Sequence, residues 1–572
     1  MANAIAKCQE FYYLTGSKLI SMRVAEINPG SRVTGVSALS KKKISKPEIE
    51  LCFERFLIDA QDDFFPDPFR YQDLRLVRQD LVNKVYGTLS QVMKKSQITY
   101  SVGRWHDWDV PKNNYVVRQG FSLHPVDSLI YHFVLNRLVA VIEPKLSKAR
   151  YSYRVKNPRS KEIFGTRRTE NWIRFKTDIR DFFTNNPEYK YLVSTDIAGF
   201  FEYIPITLLK KQLQQLSNNR EEKAIELLNL MLKSFSVSQF CGIPQGCDPS
   251  SYLCTAFLDF LDKELESNSL RHFRYVDDIR VACKTEKDAK KAIIQIIRCL
   301  RRVSLNLSSA KTEIIQVGSS KYMDFVKDFP KLLSDIDAAA NQKQKTALDK
   351  LFPELIDMTK RVMKQGRGFD ERLFRACIWR IVKVSYFRNV RKLNLDAIGQ
   401  MCLKLLESMP GRSDTFVRFL VLHKNRKYVQ DGLYELLLES VYPWQEMHIW
   451  ELLIECDKCK NREIIDLAKQ RVRDSGYDEA ARNYAIIFLG KHGDYQDRQY
   501  IASLFSFTDS FRAKRCIIIA LQEYPEKNTI YNQITRINSD LILVSLVDKI
   551  KGLTSPEYVQ KNKKIGSEIA VS

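Results

Sequence analysis

Asp196-Ile197-Ala198-Gly199-Phe200-Phe201-Glu202-Tyr203-Ile204, then Gly242-Ile243-Pro244-Gln245-Gly246, then Tyr275-Val276-Asp277-Asp278: these three stretches, in this order, decide the fold. Tyr191-Leu192-Val193-Ser194-Thr195 leads into the first and reads as a short strand that delivers Asp196 at its end. Phe273-Arg274-Tyr275-Val276 and Ile279-Arg280-Val281-Ala282 read as two strands of a hairpin with Asp277 and Asp278 at its turn. A strand-borne Asp, a Pro-Gln-Gly and an Asp-Asp in a turn are each commonplace alone. Their order, spacing and context make the set informative.

The residue types suggest a chemistry. Hard divalent cations take carboxylate oxygens. A pair of them ~3.5–4 Å apart serves in-line phosphoryl transfer by stabilising both the attacking and the leaving oxygen. Carboxylates from separated segments must then converge, and Asp196 and Asp277 are placed to do so. Asp278 is a second acid at the turn, but the strand period of two aims it differently and makes it the lesser ligand. Apolar strands on both sides weigh against a simple turn filler, because charge among them is costly without a cation.

Working outward, the 572 residues suggest three or four units at ~100–200 residues each. An apolar fraction of 44% and a charged fraction of 28% allow an ordinary buried core. Lys and Arg total 91 against 68 Asp and Glu, a formal charge of +23. That excess favours a polyanionic partner, nucleic acid or an anionic membrane surface. No stretch approaches the ~18 apolar residues of a membrane span, and the start Met1-Ala2-Asn3-Ala4 shows no basic-then-apolar leader. Twelve cysteines are too sparse for a disulfide framework. Cys254, Cys283 and Cys516 lie among apolar neighbours and read as buried thiols. A reducing, cytoplasmic setting without membrane is expected.

Residues 1–69 read as an N-terminal extension. It has a Gly/Ser/Val stretch near Gly30, a basic run Lys41-Lys42-Lys43 that is more often a solvated loop than an address, and Asp67-Pro68 closing an acidic turn and ending a helix. Residues 70–330 alternate helix and strand patterns. Asp288 to Val303 has apolar residues at helical spacing, and Cys254 to Leu265 reads as a helix. From 331 to 572 the pattern is helix after helix. Ala481 to Leu489 resembles Ala513 to Leu521 at an offset of 32, with a fainter copy around Ile449 to Ile454. Such a period suggests stacked helix pairs of the HEAT type, with an irregular helical bundle as the alternative.

The three motifs resemble those of the reverse-transcriptase family, over about residues 70–320. The resemblance implies roles. Phe201, five residues after Asp196, would lie under the sugar and clash with a ribose 2′-OH, selecting deoxynucleotides. Gln245 and Gly246 would pack on the incoming base and template, and Tyr275 would stand beside the primer end. Leu305-Asn306-Leu307-Ser308-Ser309-Ala310-Lys311-Thr312 looks like a later motif whose lysine, here Lys311, approaches the leaving pyrophosphate. Val110-Pro111-Lys112 and Val117-Arg118 look like the fingers hairpin, where Lys112 and Arg118 would clamp the triphosphate; plain surface charges are the alternative. Ser152-Tyr153-Arg154 resembles a segment that follows the fingers. The implied catalytic set is Asp196, Asp277, Asp278 and Lys311. The implied metal set is Asp196, Ile197, Asp277 and Asp278 around two Mg2+ ions, with Mn2+ as a substitute.

Finer features are similar to the bacterial abortive-infection and defence-associated reverse transcriptases, which also end in all-helical regions. They are the string GIPQGCDPSSYL (242–253), Arg274 directly before YVDD, and DDFFPDPFR from Asp62 to Arg70. The implied fold class is α+β polymerase fingers and palm of right-hand architecture, followed by an all-α, HEAT-like C-terminal region. The implied partners are an RNA template, a dedicated non-coding RNA among the candidates, a DNA product, dNTPs and further copies of the chain. The implied role is antiphage defence in a bacterial cytoplasm. Template-independent or protein-primed DNA synthesis at the same site is one alternative. A degenerate nucleic-acid-binding scaffold is another, against which the three intact aspartates weigh. Cys456-x-x-Cys459 lacks a second pair for four-ligand zinc, and His448 does not complete it. Arg418-x4-His423 fits the loose HEPN ribonuclease pattern, with Phe419 where a polar residue is usual. Arg418 with His423, Lys424, Arg426 and Lys427, among Phe416, Phe419 and Tyr428, suits gripping phosphate and stacking bases as well as it suits an ordinary helix end.

Overall fold

Two separate sheets carry the strands. β1 (His106–Pro111) and β2 (Val117–Ser122) form an antiparallel hairpin. β3 (Tyr191–Thr195), β4 (His272–Tyr275), β5 (Asp278–Cys283) and β6 (Glu313–Gln316) form the second sheet in the order β4-β5-β3-β6, with every neighbour antiparallel. Period-two alternation gives that sheet two apolar faces. Leu192, Phe273, Ala282 and Ile315 pack with Phe175, Ile179 and Phe183 of the helix Arg168–Asn185. Val193, Ile279, Val281 and Cys283 join the main core with Ala289, Ala292 and Ile296 of the helix Glu286–Arg301.

The computed structural model describes residues 43–61, 67–112, 116–164, 168–235, 240–365, 369–387, 395–459, 461–537, 540–553 and 556–558. Gly30, Lys41-Lys42 and positions 62–66 of the acidic turn lie outside the described residues. Residues 44–572 form one unit by their contacts, across the expected borders at 70 and 331.

Several expectations need correction. The first described helix, Lys46–Asp59, ends before Asp67. Asp67 instead accepts the backbone N–H groups of Phe69 and Tyr71 at 3.1 and 3.0 Å, fixing a turn. The expected helix from Cys254 to Leu265 is two helices, Asp248–Phe257 and Asp259–Ser267, parted at Leu258. The helix expected over 288–303 runs Glu286–Arg301, because Thr285 Oγ1 accepts the Asp288 N–H at 3.1 Å and caps it two residues earlier. One helix among the described residues, Pro125–Lys145, is long and apolar enough to cross a membrane, against expectation; most of its apolar window is buried inside the protein.

Beyond residue 331 the described elements are all helical. Lys331–Asn341, Glu371–Ser385, Ser413–Leu420, Pro443–Glu455, Glu479–His492 and Phe511–Ala520 form a row in which each packs on the next. Intervening helices such as Lys345–Met363, Asp396–Ser408 and Arg462–Arg473 lie against this row. The repeated strings at 481–489 and 513–521 fall on neighbouring members of the row, where residues 484–489 and 516–521 are buried.

This helical region docks on the N-terminal half. Arg515, fully buried, donates to both oxygens of Asp67 and of Asp73, with Nη2 to Asp67 Oδ1 at 2.9 Å. Arg512 Nη2 donates to the Tyr71 hydroxyl at 3.1 Å and its guanidinium lies 5.9 Å from the Trp108 ring centroid on β1. Gly411 backs onto the end of β1 so closely that a Cβ there would stand 2.3 Å from the Pro111 carbonyl oxygen. The hairpin is thus braced by helices that come some 300–400 residues later in the chain.

Candidate active site

β3 is a central strand, so its C-terminal end projects Asp196 between β5 and β6. Thr195 is fully buried and its Oγ1 lies 2.7 Å from Thr312 Oγ1, tying the strand end to the segment before β6. The Ser308 N–H donates to the Asp196 carbonyl at 2.8 Å and the Ala198 N–H to the Asn306 carbonyl at 2.9 Å. Ile197 sits between them, bridged to Leu307. The β3–β5 register ends with Thr195 paired to Ile279, so Asp196 and the Asp277-Asp278 pair lie at the same end of these two strands. Gly199 then bends the chain at φ 54°, where a Cβ would meet the Tyr203 ring at 2.4 Å.

Asp277 occupies the β4–β5 turn, and Asp278 is the first residue of β5, paired with Tyr275. The sequence reading had Val276 as the last strand residue. It is instead the first residue of a two-residue turn at φ 56°, a rare conformation for a β-branched side chain.

Three carboxyls and two cations share this end of the sheet. Lys311 Nζ donates to Asp196 Oδ2 at 2.7 Å from an otherwise exposed side chain. Asp278 Oδ1 accepts from Arg280 Nη1 at 3.3 Å, on the same face of β5 two residues on. Burial, then the charges of Asp196 and Asp278, push the Asp277 carboxyl up to about 7. Asp278 is also raised, chiefly by burial, with Arg280 opposing. Burial works against the Lys311 ammonium, but its hydrogen bond to Asp196 and the acids around it outweigh that and raise its pKa. Negative charge therefore exceeds positive charge here. Among the described residues no group of three His, Cys, Asp or Glu side chains stands close enough together to grip an ion without side-chain movement.

The Pro-Gln-Gly segment lies beside this centre. Ile243 N–H donates to the Phe201 carbonyl at 2.9 Å and Gly242 N–H to the Ile204 carbonyl at 3.0 Å, so the loop doubles back along the half-buried Phe201. The Phe121 N–H of β2 donates to the Gln245 carbonyl at 3.2 Å, joining the hairpin to the loop. On that hairpin Arg118 is half-buried opposite Val110, while Lys112 is exposed; its amide donates to the Val116 carbonyl at 2.7 Å. Tyr275 packs edge-on against Trp172, with ring centroids 5.0 Å apart.

Sequence reasoning missed Arg280, Thr312 and Trp172. Only Arg280 had a local signal, its place two residues after Asp278 on one strand face. The weaker signals resolve as structural. Cys456 and Cys459 are buried free thiols, and Cys456 Sγ donates to the Lys424 carbonyl at 3.0 Å. His423 is buried between Asp396 Oδ1 (3.3 Å) and the Tyr428 hydroxyl (3.0 Å), not displayed beside Lys424. Lys424 itself is engaged by the Glu455 carbonyl and Asp457.

Residues 110–332 match the family described as reverse transcriptase (RNA-dependent DNA polymerase), less than half of the chain. Among solved structures, telomerase from Candida albicans in complex with the TWJ fragment of telomeric RNA is similar at 11% identity over 70% of each chain, with a TM-score of 0.31, too low to establish a common fold. No curated protein matches the chain. Residues 110–332, which hold all three motifs, form a reverse-transcriptase domain, the catalytic module of an RNA-directed DNA polymerase.

Proposed function

We propose that this chain copies an RNA template into DNA from dNTPs at the site built by Asp196, Asp277 and Asp278, and that it serves antiphage defence. The observation that carries the polymerase reading is the meeting of Asp196 and Asp277 at the end of adjacent strands, with Lys311 on the first and excess negative charge around the second. The donor set is all oxygen, carboxylates and one backbone carbonyl, which suits Mg2+ or Mn2+, and the burial and neighbouring acid charges that raise the Asp277 carboxyl are what bound cations would offset. Asp196, the Ile197 backbone, Asp277 and, more weakly, the Arg280-paired Asp278 would hold two ions. When bound, they supply charge stabilisation to the attacking 3′-oxygen and the departing pyrophosphate.

The chain's own residues do the rest. Asp277 must give up its proton to bind, so protons would compete with the cations at this carboxyl. Lys311, on a long exposed stem, turns from Asp196 to the departing pyrophosphate. Arg118 and Lys112 hold the triphosphate, Gln245 and Gly246 back the nucleobase, Phe201 excludes a 2′-hydroxyl, and Tyr275 supports the primer end. The helical row beyond 331 is read as HEAT-like stacking that braces the fingers in place of a thumb and offers a platform for a second copy. The defence role rests on the resemblance of GIPQGCDPSSYL, Arg274-YVDD and DDFFPDPFR.

The test is Mg2+-dependent dNTP incorporation on a primed RNA template. Asp196→Asn and Asp277→Asn should each reduce it to background while the fold is kept. Near-normal incorporation by either variant sinks the reading.

A further inference from the structure

We propose that Arg274 is a positioning residue, locked by Asp262, that pins the strained turn carrying Asp277. This deepens the proposed polymerase reading and rests on it.

Arg274 is wholly buried next to the site, yet its side-chain hydrogen bonds go to Asp262, Thr255 and Val276, not to the three acids. Its Nε donates to Asp262 Oδ1 at 2.8 Å and its Nη2 to Asp262 Oδ2 at 2.5 Å, a bidentate pair with an acid 1% exposed. Nη2 also donates to the Thr255 carbonyl at 3.0 Å. Those three bonds fix the guanidinium to the helices Asp248–Phe257 and Asp259–Ser267. The remaining nitrogen, Nη1, donates at 2.9 Å to the carbonyl of Val276.

That carbonyl belongs to the peptide joining Val276 to Asp277. A peptide is planar, so holding its oxygen fixes the plane from which Asp277 departs. On the other side, Ser152 Oγ accepts the Val276 N–H at 2.8 Å. Val276 is thus clamped at both its backbone groups, in a left-handed conformation that a β-branched residue does not adopt unaided. Lysine cannot replace the fork: one ammonium cannot serve Asp262, Thr255 and Val276 in these directions together.

The experiment uses the full chain and steady-state dNTP incorporation on a primed RNA template. Arg274→Lys and Ser152→Ala are each made with Val276 and with Val276→Gly, since glycine favours the first position of such a turn by itself. With Val276 present, Arg274→Lys should lower kcat about 10- to 100-fold, the scale of a misplaced reacting group, with KM for dNTP changed less than about threefold. In the glycine background the same substitution should change kcat less than about threefold, a coupling that a general loss of stability does not produce. If Arg274→Lys fails to fold, Ser152→Ala decides: a kcat loss that the glycine relieves supports the pin. Equal losses in both backgrounds, or full activity in both Arg274→Lys and Ser152→Ala beside an inactive Asp277→Asn, overturn it. An active Asp277→Asn would instead overturn the polymerase reading itself.

Discussion

Replacing Arg515 by methionine removes one cation from two buried acids, and the structure sets the size of the effect. Arg515 is 0% exposed and serves Asp67 and Asp73 together. One guanidinium cannot neutralise two carboxylates fully. Burial raises Asp67, but Arg515 outweighs it and holds that carboxyl below its ordinary value. Asp73 stays above its ordinary value, through burial first and the charge of Asp67 as well, despite Arg515. Methionine conserves most of the volume, so packing changes little. Breaking a buried pair from one side costs about 3–5 kcal/mol. At roughly 2.1 cal/mol/K per residue for a unit of this size, that corresponds to a drop of about 3–5 °C in melting temperature. In the variant, burial acts unopposed and both carboxyls are raised when folded. The folded variant then binds more protons than the unfolded chain, so its stability falls as pH rises from about 4. The deficit against the parent should be small near pH 4 and full near pH 8. Thermal melts followed by circular dichroism across that range read it directly. Adding Asp67→Asn and Asp73→Asn to Arg515→Met should recover most of the loss, since no buried charge remains. A variant that melts with the parent at pH 8, or a deficit indifferent to pH, would refute the reasoning.

Phe201→Ala should raise ribonucleotide use relative to deoxynucleotide use in competition assays; an unchanged ratio places sugar selection elsewhere. The +23 charge should give nucleic-acid binding whose log K falls linearly with log salt, by about 0.7 per phosphate contact on single strands, and titrations flat in salt would contradict it. Deleting 331–572 should leave an insoluble or inactive remainder, because Tyr71, Asp67, Asp73 and Trp108 lose their partners. A truncated protein with full activity and an unchanged oligomeric state in light scattering would count against that.

What could be read from the sequence was whatever a local pattern carries. β3 is legible to the residue because the β-formers Tyr191, Val193 and Thr195 stand at alternate positions just before an Asp, and the hairpin is legible because its strands are rich in aromatic and β-branched residues. Its turn was set one residue off, since nothing local reveals that Ser152 and Arg274 hold Val276 at positive φ. The break at Leu258 is hidden for a related reason: no Gly or Pro stands between Cys254 and Leu265, so nothing local marks the parting of the two helices. Asp67 reads as a turn acid because its partner, Arg515, is on another helix far down the chain. Periodicity reports which face of an element is buried, but not what buries it.

The Arg515 clasp also sets an order of events in the making of the protein. Asp67 and Arg515 are 448 residues apart. At ~5–20 residues per second the second follows the first by roughly 20–90 s of synthesis. All three motifs are complete long before that, since Asp278 precedes Arg515 by well over 200 residues. Throughout that interval Asp67 and Asp73 lack the guanidinium that holds them in the folded protein. The emerging chain therefore carries all three motifs on an unfinished scaffold, and the clasp forms only when the helix Phe511–Ala520 arrives.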